Sequence, residues 1–186
     1  MIGYAFCGSF CTHAASLLQM ESLLQAGYEI QPIVSENVYS TDTRFGRAAA
    51  LVSRIEALTG KEVIHSIVDA EPLGPKISLD AMIIAPCTGN TLAKLAAGIT
   101  DTAVCMAAKA HLRGNRPLVI ALASNDALSA NLKNMATMLS RKFVYFVPLF
   151  QDDPQKKPHS LIADFSLLGA TLDAALEGKQ YQKIFV

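Results

Sequence analysis

The sequence is short of charge. Of its 186 residues only 17% are charged, and 16 basic side chains balance 16 acidic ones, so the formal net charge at pH 7 is zero. Such a surface has no electrostatic reason to seek nucleic acid or anionic lipid. Long apolar runs are also missing: no segment reaches the roughly 20 residues that a membrane-spanning helix needs. The first residues, MIGYAFCGSF, show neither a basic leader nor a cleavage pattern, so a cytoplasmic protein is expected. Cysteine is scarce. Cys7, Cys11, Cys87 and Cys105 follow no zinc or redox spacing, so they are expected as small buried residues, with no metal site. The patterns HExxH, GxSxG, GxGxxG and the Walker loop are absent as well, which removes the standard zinc-protease, serine-hydrolase, dinucleotide and ATP signatures. With no repeat, low-complexity tract or linker, residues 1–186 are expected to form one domain.

What is present is apolar residue, at 51% of the chain. So little charge on a domain of this size suggests that other subunits cover part of its surface. Short apolar runs alternate with amphipathic stretches. IGYAFC, YEIQPIV, EVIHSI, LDAMIIAP, PLVIALA and FVYFVPL read as strands. Between them, helical spacing joins Leu17, Met20 and Leu24, then Ala48, Leu51, Val52, Ile55 and Leu58. It continues from Asp101 to Arg113, and again through Leu128, Leu132, Met135 and Leu139. Leu161, Phe165, Leu168, Leu172 and Leu176 predict a final helix, while DAEPLGPKIS reads as loop. Apolar strands alternating with helices predict an α/β fold, a doubly wound parallel sheet with helices on both faces.

In that architecture ligands bind beyond the carboxyl ends of the strands. Small polar residues gather at those positions. Gly8-Ser9-Phe10 follows the first strand, where glycine allows close approach and free amides at a helix start suit a phosphate. The plainer reading is a tight turn with a capping hydroxyl. Ser35 follows the second strand. Pro86 ends the next apolar run, and Cys87-Thr88-Gly89-Asn90-Thr91 opens a helix, either as caps or as hydrogen-bonding groups for a planar heterocycle. Ser124-Asn125-Asp126 follows PLVIALA and again reads as a cap or as an amide lining the same crevice. His13 begins the first helix beside the proposed phosphate turn, whereas His65, His111 and His159 have no visible partner.

PCTGNT, within APCTGNTLAKLAAGITD, resembles the PASANT motif of the homo-oligomeric flavin-containing cysteine decarboxylase family, whose members are FMN-binding and Rossmann-like. Pro86, Asn90 and Thr91 match the motif; Cys87, Thr88 and Gly89 replace its alanine, serine and alanine. Nearly the whole chain, including STDTRFG, SIVDAEPLGPKISLD, SNDALSAN and VYFVPLFQDDPQKKPHSLIADF, is similar to the dipicolinate-synthase branch of that family. The resemblance implies FMN contacted by Gly8, Ser9, Phe10, Ser35, Pro86, Thr88, Asn90 and Thr91, with Asn125 near the substrate. It also implies a trimer-based homo-oligomer in the mother-cell cytoplasm of a spore-forming bacterium. A nicotinamide-binding A subunit using NAD or NADP would be the partner, and a dihydrodipicolinate-type precursor would be oxidised to dipicolinate.

Two departures weigh against cysteine decarboxylation. The helix after the second strand, from Arg44 to Leu58, holds no histidine, and no cysteine follows Cys105 to form a flap. A dianionic substrate instead calls for a fixed cation, and Arg44 in TDTRFG is the expected clamp. An accessory role that supports the partner without chemistry, and a flavin prenyltransferase relative, are the alternatives.

Overall fold

The computed structural model describes residues 1–74 and 76–186. Strand β1 (Ile2–Phe6) leads through a 3-10 turn (Phe10–Thr12) into α1 (His13–Gln25), and β2 (Ile30–Val34) follows. Next come three helices, α2 (Glu36–Ser40), α3 (Ala48–Thr59) and α4 (Ile67–Ala70). Strand β3 (Ala81–Cys87) is followed by α5 (Gly89–Ala97) and α6 (Ala103–Leu112), and β4 (Leu118–Ser124) by α7 (Leu132–Leu139). The remainder is β5 (Val144–Phe146), β6 (Leu149–Phe150), β7 (Leu161–Ala163) and α8 (Leu168–Leu176).

The sheet has 7 strands. Strands β2, β1, β3, β4 and β5 lie side by side and parallel, while β7 and β6 continue antiparallel from the end of β4. Ile2 pairs with Ile30 on one side and Ala81 on the other. Every residue of β1 and β3 is buried, as expected of central strands covered on both faces. Helices α1 and α8 pack together over one face, and α4 and α6 pack together over the other. On the α1 side Leu17, Met20 and Leu23 are buried, each contributing about 1.5–3 kcal/mol relative to exposure. Polar bonds fix the helix in register: Tyr4 Oη donates to the Ser16 carbonyl at 2.9 Å, and Ser16 Oγ donates to the Ala85 carbonyl at 2.5 Å.

The expected doubly wound α/β sheet is present, with local differences, one being that Leu128, expected in a helix, lies in the turn before α7 begins at Leu132. EVIHSI forms only a single bridge, Ile64 beside Ile33, before α4 begins. FVYFVPL divides into β5 and β6 at Pro148, which has no N–H for a ladder. The expected final helix begins only at Leu168; Leu161–Ala163 is strand β7, and Phe165 starts a second 3-10 turn. Leu161 is buried in strand β7 and Phe165 in a 3-10 turn that packs against α1, so their spacing does not reflect one helix. Within DAEPLGPKIS, Asp69 and Ala70 end α4, and Pro75 lies outside the described residues.

Candidate functional site

At the carboxyl end of the sheet, three connections meet. The N–H of Cys7 donates to the Pro86 carbonyl at 3.2 Å, and that of Ser35 donates to the Phe6 carbonyl at 3.0 Å. Thr91 Oγ1 lies 3.3 Å from Cys7 Sγ, bringing the first turn of α5 against the end of β1. The strand-end residues read from the sequence therefore share one rim. The β3–β4 ladder changes register between Ile84 and Cys87, where Pro86 interrupts the donors.

Their side chains divide into engaged and free. Thr88 is the N-cap of α5: its Oγ1 accepts from the Thr91 N–H at 3.2 Å and donates to Thr91 Oγ1 at 3.1 Å. Ser35 caps α2 through a long 3.4 Å bond from the Val38 N–H, which leaves its own hydroxyl proton available. Ser9 is engaged only through its backbone, its carbonyl accepting from the Thr12 N–H and hydroxyl. Among the described residues the side chains of Ser9, Asn90 and Asn125 make no hydrogen bond, and Asn90 and Asn125 are exposed. In the turn after β1 the N–H of Ser9 is used by the Cys7 carbonyl, whereas those of Gly8, Phe10 and Cys11 find no described acceptor.

Below Asn125 sits a network that the sequence did not disclose. Asp126 Oδ1 accepts from Ser124 Oγ at 2.5 Å, and both carboxylate oxygens accept from Asn131 Nδ2 at 2.9 Å. Asn134 in turn donates to Asn131 Oδ1 at 2.8 Å. The Ser124 and Asn131 hydrogen bonds hold the Asp126 carboxyl below its ordinary range. Gly89 presses against this network. A Cβ there would collide with Ser124 Oγ and stand 2.5 Å from Asn131 Nδ2.

A cleft of about 340 Å³ opens on the other side of the phosphate-like turn, between α1, α3 and the residues 41–47 that precede α3. Phe10 belongs to both places: it lines the cleft, and a methyl on Gly8 would touch its ring at 3.5 Å. Thr88, Asn90 and Asn125 take no part in this lining. Neither does Arg44, which is exposed with its guanidinium 4.9 Å above the Phe45 ring. The cleft's cations are Arg47 and Arg54. They escaped the sequence reading, yet a signal existed: Arg47, Leu51 and Arg54 recur at helical spacing and all three line the cleft.

His13 lies at the back of this cleft and is buried, edge-on to Phe10 and Phe6. Its Nε2 is 2.8 Å from the Cys7 carbonyl, which can only accept, so Nε2 carries the proton and Nδ1 is the acceptor. Burial lowers the pKa of this ring below its usual 6.5, partly opposed by that same hydrogen bond. Cys11 is a correction: it is exposed in the cleft wall rather than buried. Burial pushes the Cys7 thiol up to about 12 and raises Cys87 and Cys105, so these three remain inert thiols at neutral pH. Among the described residues, no group of three or more His, Cys, Asp or Glu side chains could hold a metal ion. No described helix is long and apolar enough to cross a membrane.

A family model described as Flavoprotein matches residues 2–165. The chain belongs to the flavoprotein family. Over 185 residues, 100% of the chain and 92% of the relative, it is 51% identical to the B subunit of dipicolinate synthase from Bacillus subtilis. The crystal structure of the corresponding B subunit from Bacillus halodurans superposes with a TM-score of 0.92 at 43% identity, covering 100% of this chain and 95% of that one. The FMN-dependent cysteine decarboxylase SpaF shares the fold at a TM-score of 0.68 and 23% identity, with 95% of each chain covered. In this flavoprotein chain Pro86–Thr91 spans the end of β3 and the start of α5, and Gly89 is packed too tightly to admit an alanine methyl.

Proposed function

We propose that this chain is the B-type component of a dipicolinate synthase, holding FMN across the strand ends and acting with a nicotinamide-binding A subunit. The pair would oxidise a dihydrodipicolinate-type precursor to dipicolinate, with NAD or NADP on the partner. The observation that carries this reading is the set of unengaged groups on one rim: the side chains of Ser9, Asn90 and Asn125, and the amides of Gly8, Phe10 and Cys11. A folded chain rarely leaves so many donors idle unless solvent or a ligand meets them. Membership of the flavoprotein family supports flavin as that ligand.

The donors suit the group. Gly8, Ser9 and Phe10, with the hydroxyl of Ser35, would hold its phosphate. Pro86, Thr88, Asn90 and Thr91 would face its heterocycle, and Asn125 would reach the substrate. Bound flavin supplies a two-electron acceptor for the hydride lost when a dihydropyridine becomes aromatic. The chain itself orients, and Arg44 adds a rim cation toward which a dianion is drawn. The reading extends to a homo-oligomer, proposed as trimer-based, in the mother-cell cytoplasm of a spore-former.

One observation favours a second reading. The free side chains at the rim are a hydroxyl and two amides, none of which exchanges a proton near neutral pH. Such a chain binds and positions without catalysing, as an accessory to the A subunit would. Purification and assay decide between the two. A yellow protein that releases FMN on denaturation, and oxidises the precursor only when mixed with the A subunit, is the expected result. A colourless chain that takes up no added FMN, yet stimulates the A subunit, would establish the accessory role instead.

A further inference from the structure

We propose that the cleft between α1 and α3 is a binding site for a small, flat dicarboxylate, with Arg47 and Arg54 each holding one carboxylate. The cleft is lined by two guanidiniums and by no aspartate or glutamate, although Glu21, paired with Arg54, and Asp42 stand at its margin. Arg47 stands at the start of α3 with no capping bond, and among the described residues no carboxylate pairs with it. Arg54 donates through one nitrogen to Glu21 at 2.8 Å, leaving the rest of its fork for a second acceptor. The neighbouring carboxylate of Asp42 is already used, accepting from the Ala48 N–H at 2.9 Å.

Spacing and shape agree with a two-headed anion. Seven residues along a helix separate the two α-carbons by roughly 10 Å, and both long side chains can turn inward across that span. Between them the walls are apolar, with Phe10, Leu17, Val38 and Leu51 offering a surface for a flat ring. The cleft volume is near the lower end of ligand pockets, which suits a single-ring ligand better than a nucleotide. Neutral His13, with Nδ1 as acceptor, gives a ligand N–H or O–H a partner at the back wall.

The choice of dicarboxylate rests on the proposed function, whereas the site rests on the cleft itself. Pyridine-2,6-dicarboxylate is the probe, titrated calorimetrically into the purified full chain in metal-free buffer, with and without FMN. Arg47→Ala and Arg54→Ala should each weaken its binding at least about tenfold, the usual effect of losing a charge-assisted hydrogen bond. Pyridine-2-carboxylate should bind at least about tenfold more weakly than the dicarboxylate to the parent. Glu21→Gln should bind as well as the parent or better, and FMN affinity, read by fluorescence quenching, should be unchanged in every variant. Parent protein that ignores the dicarboxylate, or variants that bind it as the parent does, would overturn the site. Weakening in Glu21→Gln as large as in Arg54→Ala would remove Arg54 from contact. A parent that binds the dicarboxylate through both arginines but never binds FMN keeps this site and sinks the flavin reading.

Discussion

Gly89 and Asn131 stand face to face across the end of β4, with room between them for a hydrogen and not for a methyl group. The atoms in the way belong to the Ser124–Asp126–Asn131 network, so no free side-chain end can swing aside. Gly89→Ala should cost about 1–3 kcal/mol, the usual effect of overpacking. Urea unfolding would measure it, and a variant as stable as the parent would show that the network yields.

Asp126 gives the fold an acid sensitivity. Its hydrogen bonds depress its folded pKa below the ordinary 3.8. Its contribution is therefore complete above pH 3.8 and is lost as pH falls through the lowered folded value. Asp126→Asn should be less stable than the parent at neutral pH and lose less stability on acidification into this window. Equal slopes of unfolding free energy against pH in the two proteins would contradict the network's role.

His13 is neutral in the fold at a pH where a free imidazole begins to charge. Its folded pKa lies below 6.5, so unfolded chains take up the proton first, and stability declines as pH drops below 6.5. His111, buried against the Pro117 carbonyl, shifts in the same direction. Imidazole NMR resonances should show both rings titrating below 6.5. A midpoint above 6.5 for His13 would mean that its burial is wrong.

Tyr4→Phe removes one bond between α1 and the sheet while leaving the Ser16–Ala85 bond in place. The expected loss is about 0.5–1.5 kcal/mol in chemical denaturation, with the secondary structure unchanged by circular dichroism. No loss at all would show that the Tyr4 hydroxyl holds nothing.

Arg44 is a surface residue resting on Phe45, so Arg44→Ala should leave stability within about 0.5 kcal/mol of the parent. In assays with the A subunit it should raise the substrate KM by a few-fold, more so at low salt, as expected of a rim charge. Unchanged KM at every ionic strength would exclude it from substrate capture.

The central strands β1, β3 and β4 were legible because each is a continuous apolar run closed by glycine, proline or a small polar residue. Ile64 misled because a single bridge on the edge of β2 satisfies an apolar run as well as a strand does. Leu161 and Phe165 misled because burial in a strand and in a 3-10 turn against α1 fills the core as well as a helix face does. At the site, Ser9, Ser35, Thr88 and Asn125 could be read from their place after strands, since topology alone puts such residues on one rim. The contact of Gly89 with Asn131 could not, because it depends on how the turn after β4 folds back. Arg54 lay too far along α3 for a strand-end rule to select it.

Halfway up its length β4 exchanges a parallel neighbour for an antiparallel one: Leu118–Ile120 lie beside β5, and Ala123–Ser124 beside β7. The Leu128 N–H is also tied to the His159 carbonyl at 2.9 Å. The backbone carrying Asn125 is thus strung between two anchors, both reached through the exposed charged stretch from Asp152 to Lys157. Asn125 is therefore held in place by its backbone on both sides, while its own side chain makes no hydrogen bond among the described residues.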